Sequence, residues 1–191
     1  MSKEIVIASG NKGKIREAQE ILKDYEIIPM SELGIEIDVE EDQTTFEGNA
    51  IKKAETIARE LKGKMCIADD SGIEIEYLDG FPGVFTKRWH EGTDRERNLK
   101  ILEKLRDVTK EKRKIKFTTA IALSNGEKTI SVVQSIEGYV SQEVRGTNGF
   151  GFDEIFEIKN GKTLAELSEE EKNEISSRKK ALEALKKKID M

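Results

Sequence analysis

The sequence has 191 residues but only one cysteine, one histidine and two prolines, and aromatic side chains fill just 6% of positions. Each scarcity removes a class of proteins. A lone cysteine, Cys66, cannot close an internal disulfide; set inside an apolar run, it reads as a packed thiol of a reducing, intracellular setting rather than a nucleophile or metal ligand. The lone histidine, His90, has no Cys, Ser or second His near it in a recognisable arrangement, so it reads as structural or solvated. No apolar run approaches the ~18 residues of a membrane span, and no N-terminal stretch has the make-up of a leader, so a cytoplasmic protein with no membrane partner is expected. Charge of one sign is also missing. Charged residues make up 37% of the chain, yet the net charge is only −5. Lys and Glu so evenly interspersed argue for a surface of ion pairs rather than a nucleic-acid footprint. No repeat or low-complexity linker divides the chain, and its length suits a single domain, 1–191, that buries roughly 70% of its unfolded surface.

What is present is organised around the stretch from Met65 to Gly83. Met65 to Ala68 reads as a short buried strand after the breaker Gly63. Asp69 and Asp70 follow at its carboxyl end, where ligands of open α/β sheets collect and where a hard cation and an anionic substrate could meet. Ser71-Gly72 then gives room to turn, and Asp69-Asp70-Ser71-Gly72 is either such a site or a plain polar turn. Ile73, Ile75 and Tyr77 alternate with Glu74 and Glu76 as a strand with one covered face. Phe81-Pro82-Gly83-Val84-Phe85 is a stiff loop carrying two aromatics.

Upstream, the apolar run from Glu4 to Ala8 predicts a strand, and Ile15, Ala18, Ile21, Leu22 and Tyr25 recur at helical spacing. Between them, Ser9-Gly10-Asn11-Lys12-Gly13-Lys14 forms a strand–loop–helix junction, whose free N–H groups and lysines suit an anion; the other reading is a turn without function. It is not a Walker A loop, because the glycines are too close together and Ile15 stands where Ser or Thr would follow the lysine. Ile27 to Met30 can form a second strand. Ile35, Ile37 and Val39 alternate in an extended segment ending in Glu40-Glu41-Asp42. Thr44-x-x-Glu47 reads as a capping box for a helix with the stripe Phe46, Ala50, Ala54, Ile57, Ala58 and Leu61. At 100° per residue Lys52 falls opposite that stripe and Lys53 at its edge, facing a cleft or snorkelling along the margin.

Downstream, Thr93-x-x-Glu96 caps a helix expected to bury Leu99, Leu102 and Leu105. Ile115, Phe117, Thr119, Ile121 and Leu123 alternate, Asn125-Gly126 predicts a type I′ turn, and Thr129 to Val140 returns as a second strand. Arg145-Gly146-Thr147-Asn148-Gly149-Phe150-Gly151-Phe152-Asp153 is a second glycine-rich loop. It allows close backbone approach and could hold an aromatic ring against a flat ligand, or simply turn with its phenylalanines in the core. Glu154 to Ile158 extends as a strand. Ser168-x-x-Glu171 caps a last helix with the stripe Ile175, Leu182, Leu185 and Ile189. Arg178 falls inside that stripe, where a guanidinium must find a partner or a polar cleft. Lys172 opposes the helix dipole unless an anion is near.

These stretches, in order, resemble the inosine triphosphate pyrophosphatase family of non-canonical purine nucleoside triphosphatases. The likeness is carried by Ser9 to Lys14, Phe46-Glu47-Gly48-Asn49-Ala50, Ala68 to Gly72, Gly80 to Gly83, Phe150 to Asp153, Glu171-Lys172-Asn173 and Ser176-Ser177-Arg178. It implies an α/β fold, a mixed sheet with flanking helices and two lobes around a central nucleotide cleft. The implied activity is Mg²⁺-dependent hydrolysis of ITP, dITP and XTP to the monophosphate and pyrophosphate, by a homodimer. By the same resemblance Ser9, Gly10, Asn11, Lys12, Gly13 and Lys14 form the triphosphate loop, and Lys53 is a further phosphate-binding lysine. Glu41 and Asp70 are Mg²⁺ ligands, with Asp70 also the proton acceptor and Asp69 its helper, and Ser71 is a substrate-binding residue next to them in sequence. Phe150, Gly151, Phe152 and Asp153 form the base-side loop, Lys172 and Arg178 contact the base, and Ser177 is a further substrate-binding residue beside them. Many members carry Ser-His-Arg where this chain has Ser176-Ser177-Arg178, so a base contact by an imidazole is not available to it. Two other functions remain open on sequence grounds: a pyrophosphatase for pyrimidine or modified triphosphates, and a non-catalytic nucleotide-binding module.

Overall fold

The first strand of the computed structural model, β1 (Lys3–Ile7), forms where the apolar run predicts, with Ile5, Val6 and Ile7 all buried. Residues 3–190 are described. The remaining strands are β2 (Tyr25–Pro29), β3 (Cys66–Ile75), β4 (Phe81–Pro82), β5 (Lys114–Ser124), β6 (Thr129–Val140) and β7 (Phe156–Glu157). The helices are α1 (Lys12–Ile21), α2 (Phe46–Glu60), α3 (Asp94–Lys104), α4 (Glu169–Ile175) and α5 (Ser177–Ile189). The sheet is ordered β2-β1-β3-β5-β6-β7, with β4 paired to β3. It is mixed: β1 pairs in parallel with β2 and β3, whereas β3/β4 and β6/β7 are antiparallel. None of the described helices is long and apolar enough to cross a membrane.

The chain divides into two compact units. The first holds residues 1–70, 119–134 and 178–191, and the second 71–118 and 135–177. The chain therefore passes from one to the other at four places, 70/71, 118/119, 134/135 and 177/178. In the first unit, Ile5, Ile7, Leu22, Ile67, Ile121, Leu182 and Leu185 share one core, while Ile57, Ala58 and Cys66 form another. In the second, Ile73, Ile75, Ile101, Leu105, Ile155 and Phe156 pack together. Each of the isoleucines, leucines and the phenylalanine among them contributes about 1.5–3 kcal/mol by leaving water.

Several local expectations are corrected. The Asp69-Asp70-Ser71-Gly72 segment does not end a strand; β3 runs straight through it. Aspartate disfavours strands because its side chain competes for the backbone, but here both carboxylates are engaged by side chains from other elements, which removes that competition. Tyr77 lies outside the strand, in a 3₁₀ turn, and is exposed. Tyr25 belongs to β2 rather than to the first helix. The cap of α2 is Thr45, whose hydroxyl accepts from Gly48 N, not Thr44. Residues 35–45 contain no regular element, although Ile37 and Val39 still pack onto the Ile57–Cys66 cluster.

The capping box at Thr93 and Glu96 is present, yet α3 buries Asn98, Ile101 and the following Leu105, leaving Leu99 exposed. At the Asn125-Gly126 turn only Gly126 is left-handed, so the type I′ geometry is absent. Instead the Asn125 side chain accepts from Glu127 N and Lys128 N and closes a four-residue turn over 125–128. The strand expected over Glu154 to Ile158 is only Phe156–Glu157. The last helix is two helices, because Ser176 adopts φ −52°, ψ 123° and breaks the hydrogen-bond ladder after Ile175. The Ser168–Glu171 capping box starts α4, and Arg178 stands at the beginning of α5.

Candidate active site

The first loop is built by Asn11, which caps α1. Its Oδ1 accepts from Gly13 N (2.9 Å) and Lys14 N (3.2 Å), and Ser9 Oγ accepts from Asn11 N (3.2 Å). Two of the N–H groups that an anion might have used are thus taken by the cap, so the attraction of this loop for phosphate rests more on its lysines than on helix donors. Gly10 and Lys12 are exposed beside them.

Lys14 turns inward from this loop. Its Nζ lies 2.7 Å from Asp69 Oδ2, and Arg178 Nη2 reaches the same oxygen at 3.1 Å. All three side chains are at most 16% exposed. Together with Ile7, Ile67, Ile121 and Leu182 they line a cavity of about 20 Å³. Burial among such walls opposes the Asp69 charge, but Lys14 and then Arg178 outweigh it, holding the carboxyl well below the usual carboxylate range. Asp69 is therefore a counter-ion at neutral pH and a poor proton acceptor.

Asp70, one residue along β3, is held differently. The Asn49 side chain donates to Asp70 Oδ2 at 2.9 Å, while Asn49 Oδ1 accepts from Gln43 N at 3.0 Å. One amide, only 1% exposed, thus joins the loop bearing Glu41 to the strand bearing Asp70. Glu41 itself pairs with Lys53 at 2.5 Å, and Lys52 pairs with Asp42 at 2.8 Å on the more exposed side. The first unit so gathers Lys14, Glu41, Lys53, Asp69, Asp70 and Arg178. The sequence marks Asn49 only as part of the Phe46–Ala50 stretch and gives it no role; its signal is a polar residue next to Ala50 on the apolar stripe of α2. Ser71 follows Asp70 within β3, half-buried.

The second unit carries the other loop. Its two phenylalanines part company: Phe152 joins the core, whereas Phe150 is 69% exposed. Lys172 of α4 sits 4.8 Å from the Phe150 ring centroid and is hydrogen-bonded to Asp153 Oδ2, which also accepts from Phe150 N (2.8 Å). Gly149 is required here, since a Cβ would run into the Asp153 carboxylate. Upstream the loop is stapled by Thr147 N and Asn148 N to Ala165 O and by the Asn148 side chain to Leu167 O. Ser177 is buried at the start of α5. Lys172 and Arg178 thus fall in different units, each oriented by an aspartate.

Elsewhere the burial of Cys66 pushes its thiol up to about 12, as a packed and unreactive cysteine requires. His90 is half-buried against Trp89, with ring centroids 5.5 Å apart. A cavity of about 380 Å³ in the second unit is lined by Glu74, Glu76, Lys114, Lys116, Glu137 and Lys159, and contains none of the candidate catalytic, metal-binding or substrate-binding residues.

The sequence model of the Ham1 family matches residues 5–188. The chain belongs to the Ham1 family. It is 44% identical to the dITP/XTP pyrophosphatase of Bacillus licheniformis, over 98% of both chains. It is also 44% identical to the enzyme of that name from Caldanaerobacter subterraneus, over 97% of this chain and 95% of the relative. Among solved structures, the Ham1 protein of Staphylococcus aureus superposes with a TM-score of 0.92 at 40% identity, over 98% of both chains. A HAM1 protein from Coxiella burnetii gives 0.90 at 41% identity, over 100% of this chain and 99% of the other. The family resemblance read from the sequence and the mixed α/β fold are both borne out.

Proposed function

We propose that this Ham1 protein hydrolyses dITP, XTP and ITP to the nucleoside monophosphate and pyrophosphate, clearing non-canonical purines from the nucleotide pool. The observation that carries this reading is the contrast between two adjacent carboxylates. Asp69 is neutralised by Lys14 and Arg178, while Asp70 is steadied by the neutral Asn49 amide. A pair so differentiated supports distinct roles, Asp69 orienting cations and Asp70 accepting a proton from the attacking water. The identity of 44% with relatives named dITP/XTP pyrophosphatase supports the substrate class.

Attack at the α-phosphorus is the step that releases pyrophosphate intact. Lys14 and Lys53 stabilise the triphosphate and the charge that grows on the departing pyrophosphate. Glu41 and Asp70 are the residues that would hold Mg²⁺. Their hard oxygen donors suit it, and because no group of three or more such ligands comes together among the described residues, triphosphate oxygens and water would complete the shell. Bound there, the ion would neutralise phosphate charge and make a coordinated water more acidic.

On the base side, Phe150 offers an exposed ring for stacking and Gly149 to Asp153 a close-fitting loop. Lys172 and Arg178, donors only, suit the O6 and N7 acceptors of hypoxanthine and xanthine, and would face the 6-amino donor of adenine unfavourably. Ser9, Asn11, Lys12 and Ser71 line the phosphate side in this reading, and Ser177 supports the base side without the imidazole found in many relatives. A cytoplasmic homodimer is the expected form, which sedimentation would check. The deciding experiment is product analysis on ITP, XTP, dITP, GTP, ATP and dUTP with and without Mg²⁺. Monophosphate and pyrophosphate from ITP, XTP and dITP, with little turnover of GTP, ATP or dUTP, is expected; release of inorganic phosphate, or preference for dUTP, would overturn the reading.

A further inference from the structure

Helix α3 lies outside every stretch assigned a role so far, yet it grips the base-side loop. Asn98 Nδ2 donates to Gly151 O (2.9 Å) and to Glu154 Oε2 (3.2 Å). Asp94 Oδ2 accepts from Gly151 N (3.0 Å), and Arg95 Nη1 pairs with Glu154 Oε1 (3.1 Å). Both polar groups of Gly151 are therefore held by one helix. Gly151 is the pivot of the loop, left-handed at φ +65°, with the exposed Phe150 on one side and the core residue Phe152 on the other. Apart from its own chain neighbours, no atom of the described residues stands within 4 Å of where its Cβ would be, so glycine is needed for conformation and not for space. A residue with that freedom stays in one conformation only if something holds its peptide groups.

Asn98 is also an expensive choice for simple packing. It is fully buried on α3 with Ile101 of the same helix, and its Oδ1 has no hydrogen-bond partner among the described residues. A buried amide with an unpaired acceptor is unfavourable, so an aliphatic residue would serve the core better unless the donor half were needed. The donor half is what meets Gly151.

We infer that Asp94 and Asn98 are positioning residues for base selection: by fixing both polar groups of Gly151 they set the angle at which Phe150 and the Asp153–Lys172 pair meet the purine. The inference rests on the proposed base-side role of this loop. Neither residue touches substrate in this account.

The test is kcat/KM for ITP, XTP, GTP and ATP in wild type, Asp94→Ala, Asn98→Ala and Asp94→Asn. The two alanine variants should raise KM for ITP with kcat near wild type and shrink the ITP-to-ATP ratio by roughly fivefold or more, the worth of one positioning hydrogen bond. Asp94→Asn keeps an acceptor for Gly151 N while weakening the pair with Arg97, and should keep the wild-type ratio. Should buried Asn98→Ala fail to fold, the exposed Asp94→Ala decides alone. A discriminating wild type with folded alanine variants whose ratio is unchanged overturns the inference only. A wild type that treats ITP and ATP alike overturns the functional reading and the inference with it.

Discussion

In the first unit a buried asparagine, Asn49, ties the loop of Glu41 to the strand of Asp70; in the second, buried Asn98 ties a helix to the loop of Phe150. The first positions charges and the second positions backbone and an aromatic ring. Around Asn49 the interactions are ion pairs with little exposure, Lys14 and Arg178 on Asp69 and Lys53 on Glu41. Around Asn98 hydrogen bonds to the Gly151 peptide groups predominate, beside the more exposed Arg95–Glu154 pair and a loop of glycines. The difference fits the parts of a nucleoside triphosphate. Every triphosphate carries the same charges, so one unit can act on all of them, while bases differ in donors, acceptors and outline, which a shaped loop can read.

Breaking the charge side should have the largest effect. Asp70→Asn removes the proposed proton acceptor and should cut kcat by about 10²–10⁴ with nucleotide binding retained by calorimetry. Near-normal turnover would take Asp70 out of the mechanism. Asp69→Ala should instead act on stability, because it leaves Lys14 and Arg178 without their shared carboxylate. A loss on the order of 3 kcal/mol is expected in denaturant unfolding. The sign with pH follows from the depressed Asp69 ionisation. The unfolded chain takes up the proton first, so this contribution is complete above the ordinary carboxylate range, near pH ~4, and is lost as pH falls further through the folded-state value. Asp69→Asn should therefore flatten the acid limb of the stability profile below that range, and an unchanged limb would mean that the pairing adds nothing.

Smaller effects sharpen the contrast. Arg178→Ala should lose about 2 kcal/mol in kcat/KM on ITP, roughly thirtyfold, with a smaller loss on ATP. An equal loss on ITP, XTP, GTP and ATP would mean that Arg178, which shares Asp69 with Lys14, serves the charge side instead. Asn49→Ala should raise the Mg²⁺ concentration for half-maximal activity roughly tenfold, the usual cost of losing a ligand's support, without altering base preference. A changed ITP-to-ATP ratio in that variant would blur the distinction between the two asparagines.

Much of this arrangement could be read from the chain. The alternation and turn residues placed β5 and β6, and the Ser/Thr-x-x-Glu boxes at Thr93 and Ser168 placed the starts of α3 and α4, because both signals are local. The two glycine-rich loops and the Asp69-Asp70 pair were also visible as chemistry. What escaped depended on distant partners. Asp69 and Asp70 look like a turn until Lys14, Arg178 and Asn49 are brought to them across the fold, which is why β3 continues. Asn49 and Asn98 look like interruptions of apolar stripes, since their value lies in Asp70 and Gly151, far along the sequence. The break at Ser176 was hidden because Ile175 and Leu182 keep a helical spacing on either side of it.

The division between a charge-handling and a base-reading side is tested most directly by the ITP-to-ATP ratio of kcat/KM in Lys53→Ala and Lys172→Ala, measured side by side. Lys53→Ala should lower both substrates together and leave the ratio at its wild-type value, while Lys172→Ala should narrow it. A ratio shifted by Lys53→Ala and untouched by Lys172→Ala would contradict the account.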